Sequence, residues 1–107
     1  MFFKKRRIQM LQKFETYQLA LQLYRDCASV KAAVYIKDQL NRAALSVVLN
    51  TAEGSAKPTP KERARFYSIA LASAREVQAL IDVTGRRDLW PLADRVGGCL
   101  YRLVYPR

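Results

Sequence analysis

Asp38, Arg42, Ser46, Asn50 and Glu53 recur at spacings of four, four, four and three residues, which sets five polar side chains on one helical face. Such a line holds some parts of a nucleophilic site, with Ser46 as attacking group and Glu53 or Asp38 as base. It lacks what makes a hydroxyl reactive, because neither His nor Lys lies in the line to activate it. The chain has no histidine at all, which removes the usual general base, the proton shuttle and the commonest transition-metal ligand. Cys27 and Cys99 are far apart in sequence and form no CxxC half-site. They read as small apolar core residues in a reducing compartment. No catalytic residue, metal or cofactor is expected. The polar line is then either a water-facing strip or a hydrogen-bonded seam with Ser73 and Glu76 of a neighbouring helix. In such a seam Arg42 would pair with Glu76 or Glu53, adding specificity with a net stabilisation near zero.

Charge is the stronger chemical signal. The 107 residues carry 19 Lys+Arg against 9 Asp+Glu, a formal charge of +10. Lys4, Lys5, Arg6, Arg7 and Lys13 precede any acid, and Lys57, Lys61, Arg63 and Arg65 have only Glu62 among them. Arg86, Arg87, Arg95, Arg102 and Arg107 continue the bias against Asp88 and Asp94. An excess of this size attracts phosphate backbones by counterion release, largely without regard to base sequence. The expected phosphate ligands are Lys4, Lys5, Arg6, Arg7, Lys57, Lys61, Arg63 and Arg65. Tyr17, Tyr24, Tyr35, Tyr67, Tyr101 and Tyr105 offer ring faces to bases, although helical spacing assigns most of them to core or interface. An acidic protein surface would satisfy the same charge, so an interaction scaffold is the alternative reading.

These side chains must be positioned by helices. Half of the residues are hydrophobic, too many for a disordered chain, and the length suits one domain. Four Gly and four Pro are too few for the turns of an all-β fold, while Ala, Leu, Gln, Arg and Lys favour helix. After Met1-Phe2-Phe3-Lys4-Lys5-Arg6-Arg7 the chain continues Ile8-Gln9-Met10-Leu11-Gln12-Lys13, not the apolar core of a signal peptide. No apolar stretch approaches the roughly 18 residues of a membrane span, so a cytoplasmic, soluble protein with no membrane contact is expected.

Four helical segments follow from punctuation and periodicity, preceded by a basic tail over residues 1–12. The first runs from Lys13 to about Ala28, with Phe14, Tyr17, Leu21, Tyr24 and Ala28 on one face and Leu19, Leu23 and Cys27 as a second stripe. The second runs from about Ala33 to Glu53, with Ile36, Leu40, Ala43, Ala44, Val47 and Thr51 inward and Gly54 as a left-handed cap. Leu45, Val48, Leu49 and Ala52 make it apolar over most of its circumference, as a central or subunit-interface helix would be. Thr59-Pro60-Lys61-Glu62 is a capping box with proline at the first helical position. It starts a third helix to about Val83, whose inward face holds Phe66, Ile69, Ala70, Ser73, Val77 and Leu80, and which stops before Gly85. Asp88 caps a fourth helix with Trp90, Ala93, Val96, Leu100, Leu103 and Val104 inward, ended by Pro106. Gly97-Gly98 within it costs about 1 kcal/mol per residue relative to Ala. The pair marks either close approach of a backbone or ligand, or tolerated weakness. The fold expected over residues 13–107 is all-α, an antiparallel up-down-up-down four-helix bundle.

The run Gln39-Leu40-Asn41-Arg42-Ala43-Ala44-Leu45-Ser46-Val47-Val48-Leu49-Asn50-Thr51-Ala52-Glu53-Gly54, followed by Lys61-Glu62, Arg65-Phe66, Ile69-Ala70, Ser73-Ala74 and Glu76, resembles the four-helix-bundle proteins encoded in 23S ribosomal RNA intervening sequences. The likeness is good over residues 39–78 and weaker over Phe14 to Tyr24. It implies a ring-like homo-oligomer, a pentamer, and kinship with the accessory variability determinant of diversity-generating retroelements. That protein is a basic bundle associated with nucleic acid and a reverse transcriptase, so a reverse transcriptase is a further implied partner. Matched to the family pattern are Arg42, Asn50, Glu53, Gly54, Phe66, Ala70, Ser73 and Glu76. Val47-Val48 replaces a frequent Ile-Pro, Ala72 a frequent Gly, and Glu62-Arg63 lacks the usual aromatic after the acid.

Overall fold

Thr59 behaves as the sequence predicts: its hydroxyl accepts the Glu62 backbone N–H at 3.2 Å with Pro60 in the first helical turn. At the other end of that helix Gly85 takes the left-handed conformation, φ +74°, which closes the helix without a Cβ penalty. A computed structural model describes Leu11 and residues 14–106. The described helices are α1 (Glu15–Cys27), α2 (Val34–Ser55), α3 (Pro60–Thr84) and α4 (Trp90–Val104), with a 3-10 turn at Arg87–Leu89 before the last. Each packs on its neighbours in sequence and α4 returns to α1. Contacts between α2 and α3 step in opposite directions, Gln39 to Glu76 and then Ser46 to Ser73. The fold is an antiparallel four-helix bundle, with no strand among the described residues.

Leu23 and Cys27 from α1, Leu40, Val47 and Thr51 from α2, Val77 and Ile81 from α3, and Val96 and Leu100 from α4 form the fully buried centre. Two expected inward faces are rotated. In α1 the buried residues are Thr16, Ala20, Leu23 and Cys27, while Phe14, Tyr17 and Leu21 are only half-buried and Tyr24 and Ala28 are exposed. In α3 they are Tyr67, Ala70, Ala74, Val77, Gln78 and Ile81, and Phe66, Ser73 and Leu80 lie at the margin with Ile69 exposed. Both helices offer two stripes to a core; in α1 the buried one carries Ala20 and Leu23, and in α3 the buried face keeps Ala70 and Val77 and turns toward Tyr67, Ala74, Gln78 and Ile81.

Gly54 is the clearest correction. It is not a cap: α2 continues to Ser55 and Gly54 is a buried helical residue. A Cβ there would stand 2.7 Å from the Tyr67 ring and 3.3 Å from the Arg63 carbonyl. Glycine is required by the neighbouring helix and not by backbone conformation. Asp88 does not cap α4 either, since its carboxylate takes a two-pronged contact from Arg86, both bonds at 2.9 Å. The Arg86 guanidinium holds that carboxyl below the usual carboxylate range, and it also donates to the Ser29 carbonyl at 3.1 Å, tying the α1–α2 connection to the α3–α4 turn. That connection has neither Gly nor Pro; Lys37 secures it, its ammonium donating to the carbonyls of Cys27, Ala28 and Val30 at 2.8, 2.9 and 2.8 Å. These carbonyls lie at and just after the end of α1, where a cation is also favoured by the helix dipole, and the Cys27 carbonyl accepts the Val30 N–H as well.

Two outcomes follow. Gly54→Ala is expected to lower stability by about 1 kcal/mol, because crowding a filled site costs about 1–3 kcal/mol and exceeds the helix-propensity gain of about 1. Gly98→Ala, whose Cβ would meet nothing closer than Arg102 at 3.7 Å, is expected to raise stability by up to about 1 kcal/mol; urea titration of both variants checks the opposite signs. Burial pushes the Cys27 thiol up to about 11, so a thiol reagent at neutral pH is expected to modify Cys99 alone, and both cysteines only in denaturant. Since the folded value lies above the ordinary value of 9.0, Cys27 favours the folded state below about pH 9 and that contribution fades as pH rises toward 11.

Candidate nucleic-acid interface

The short connection after α2 and the first turns of α3 bring four cations together. Lys57 lies over the Phe66 ring at 4.9 Å and Arg65 stands at 6.0 Å from the same ring, so one half-buried aromatic carries two cations. Arg63 donates to the Lys57 carbonyl at 3.1 Å, which fixes the connection. Lys61 is exposed at the second position of the helix. Glu62 is the acid of that first turn, and it is engaged with Thr59 in the capping box. None of Lys57, Lys61, Arg63 and Arg65 forms an ion pair among the described residues. They also sit at the positive end of the α3 dipole, where cations are unfavourable in the absence of an anion.

The cations near the α3–α4 turn are in a different state. Arg86 is committed to Asp88, Arg87 lies 3.8 Å from Asp82, and Arg95 meets Glu15 at 2.7 Å. These contacts lower the local positive potential without adding much stability, since most are exposed. The start of α3 is therefore one place where cations without a carboxylate partner among the described residues gather; Arg75 and Arg102 are two others without one. Lys4, Lys5, Arg6 and Arg7, expected to share the phosphate-binding role, lie outside the described residues.

The polar line on α2 is a partly buried seam. Ser46 Oγ and Ser73 Oγ are 2.7 Å apart, and Asn50 Nδ2 donates to the Ser46 carbonyl and hydroxyl at 2.9 and 3.1 Å. Glu76 accepts from Gln39 at 2.7 Å in place of the expected Arg42, which is exposed. Gln39 Nε2 reaches across where the longer Arg42 points outward. Glu53 is half-buried, while Gly54 and Ala70 lie in the packed contact between helices. The Ser46 hydroxyl is held by a second serine and an amide, with no carboxylate or amine bonded to it among the described residues.

Among the tyrosines only Tyr67 belongs to the core and Tyr17 is half-buried, whereas Tyr24, Tyr35, Tyr101 and Tyr105 are exposed, so helical spacing alone assigns too many of them to the core. Tyr101 and Tyr105 line an open cleft of about 720 Å³ with Arg75, Gly98 and Arg102. Arg75 was not evident as a site residue from sequence; the available signal was Gly97-Gly98 on the opposite helix. Nearer the start of α3, shallower clefts run past Lys61, Ala64, Arg65 and Ser68 to Val104. No helix among the described residues is long and apolar enough to cross a membrane, and no group of metal-binding side chains occurs among them. Compared with known families, the chain matches the one described as 23S rRNA-intervening sequence protein over residues 15–94. No curated protein and no solved structure matches it.

Proposed function

The chain belongs to the 23S rRNA-intervening sequence protein family, and from that premise we propose that it is a non-enzymatic, cytosolic, oligomeric bundle that binds RNA or DNA through backbone phosphates. The observation that carries this reading is the group of unpaired cations at the start of α3, Lys57, Lys61, Arg63 and Arg65. Phe66 holds two of them over one ring, so less side-chain freedom is lost when phosphates arrive. The dipole of a 25-residue helix adds to their field. Contacts of this kind fix position without reading bases.

Self-association has a separate support. Leu45 and Leu49 on α2 and Ile69 on α3, each within four residues of Ser46 or Ser73, are 41, 57 and 42% exposed. A second copy of this chain would remove that apolar surface from water, with the seam supplying register at its centre. A closed ring of five is the assembly that the family resemblance implies.

Affinity is expected to fall with salt at a log–log slope of about −0.7 to −0.9 per neutralised phosphate. Replacing Lys61, Arg63 and Arg65 with Gln should flatten that slope by about 2 to 3 and weaken all sequences alike. A filter-binding titration with no salt response overturns the reading, and retention of a protein partner after nuclease digestion favours a scaffold, such as an accessory subunit of a reverse transcriptase. Leu45→Asp together with Leu49→Asp is expected to shift the assembly to smaller species in native mass spectrometry with helicity retained; an unchanged mass places the contact elsewhere.

A further inference from the structure

We propose that the cleft between α3 and α4 is a site for single-stranded nucleic acid, in which Tyr101 and Tyr105 stack on unpaired bases while Arg75 and Arg102 hold the adjoining phosphates. The inference deepens, and rests on, the phosphate-binding reading above. Tyr101 and Tyr105 are 52 and 59% exposed, with ring centroids 4.9 Å apart and planes tilted by 50°. Two large aromatics one helical turn apart therefore stand in solvent beside a concave surface. An unpaired base can stack on an exposed ring face of this kind, whereas the interior bases of a duplex are already stacked on one another.

The Gly97-Gly98 pair shapes this cleft. A Cβ on Gly97 would stand 2.7 Å from Arg75 Nη1, so this glycine lets the guanidinium lie against α4, where it donates to Gln78 Oε1 at 2.7 Å. Gly98 lines the cleft beside the tyrosines, leaving its floor at the level of the backbone. The intrinsic helix penalty of two adjacent glycines is thus offset in one case by placement of an arginine and tolerated in the other where a flat base would lie.

Charge favours a polyanion as the occupant. Neither Arg75 nor Arg102 has a carboxylate partner among the described residues; Arg102 contacts only the Cys99 sulfur, at 3.5 Å. Asp94, one turn before Gly98 on α4, accepts from Gln78 at 3.5 Å and lies outside the lining. From Arg75 the α3 face runs back past Ser68, Ala64 and Arg65 to Lys61, the last four lining the neighbouring cleft. Arg75 and Arg65 are about 15 Å apart along the helix, so a strand leaving the tyrosines is led toward the cations at the start of α3.

The test compares a labelled oligothymidylate with a blunt duplex of equal length by fluorescence anisotropy, using the wild-type chain, Tyr101→Ala with Tyr105→Ala, and Tyr101→Phe with Tyr105→Phe. The alanine pair is expected to weaken single-strand binding by about tenfold or more and to leave duplex binding within about twofold, since stacking acts on unpaired bases. The phenylalanine pair keeps the rings and is expected to bind both probes like wild type. Both tyrosines are exposed, and unchanged melting by circular dichroism establishes that the variants fold. Equal loss on both probes, no loss on either, or loss with phenylalanine as large as with alanine each overturns the cleft as a stacking site while leaving the phosphate-binding reading intact. A wild-type chain that binds neither probe at low salt overturns that reading and this one together.

Discussion

The close contact between α2 and α3 is the constraint on which the rest depends. Ala43, Ala44 and Gly54 on one helix and Ala70 and Ala74 on the other are all buried, and the Tyr67 ring lies where a Gly54 side chain would otherwise project. Small residues bring the helix axes together, and the larger apolar side chains of the same helices are displaced to the margins. This places Phe66 at the edge of the contact, available to Lys57 and Arg65, and leaves Leu45, Leu49 and Ile69 on the outer surface. The core and the exposed apolar and charged surfaces are consequences of one packing choice.

Much of this was legible in the sequence, but unevenly. Thr59-Pro60-Lys61-Glu62 and Gly85 gave correct ends for α3 because caps act within a few residues and need no partner. The rotational setting of α1 and α3 was not legible. Both carry two apolar stripes, and hydropathy favours the stripe with Phe14 and Tyr17 in α1 and the one with Phe66 and Ile69 in α3. The folded chain keeps the expected Ala70 and Val77 inward but turns α3 toward Tyr67, Ala74, Gln78 and Ile81, and in α1 it buries Ala20 and Leu23, because close packing, and not hydropathy alone, determines burial. Gly54 and Asp88 misled for a related reason: each has a familiar local role, and each is taken by a partner from another turn of the structure, Tyr67 or Arg86. For the candidate site, the cation cluster at the start of α3 could be read directly, whereas the meeting of Arg75 with Gly97, Gly98, Tyr101 and Arg102 is a product of α3–α4 packing that no local pattern contains.

The distribution of ion pairs gives meaning to an otherwise featureless positive charge. Acids are spent where they tie segments together: Asp88 with Arg86 at the α3–α4 turn and Glu15 with Arg95 between the first and last helices. At the other end of α3 the one first-turn acid, Glu62, is held by the Thr59 cap, whose hydroxyl accepts its backbone N–H and donates to its carboxylate, so Lys57, Lys61, Arg63 and Arg65 have no carboxylate partner among the described residues. Architecture and electrostatics are coupled there, because the same helix start that supplies the capping geometry supplies backbone dipoles of the same sign as the side chains.

The Lys37 ammonium, bonded to three carbonyls at the end of α1, makes the α1–α2 connection a locked joint. Exchange of α1 between two chains would require that joint to swing open, stripping three charge-assisted bonds and uncovering Cys27 and Leu23 together. Domain swapping through this hinge is thereby disfavoured, so each copy retains its own first helix and any higher-order assembly joins finished bundles.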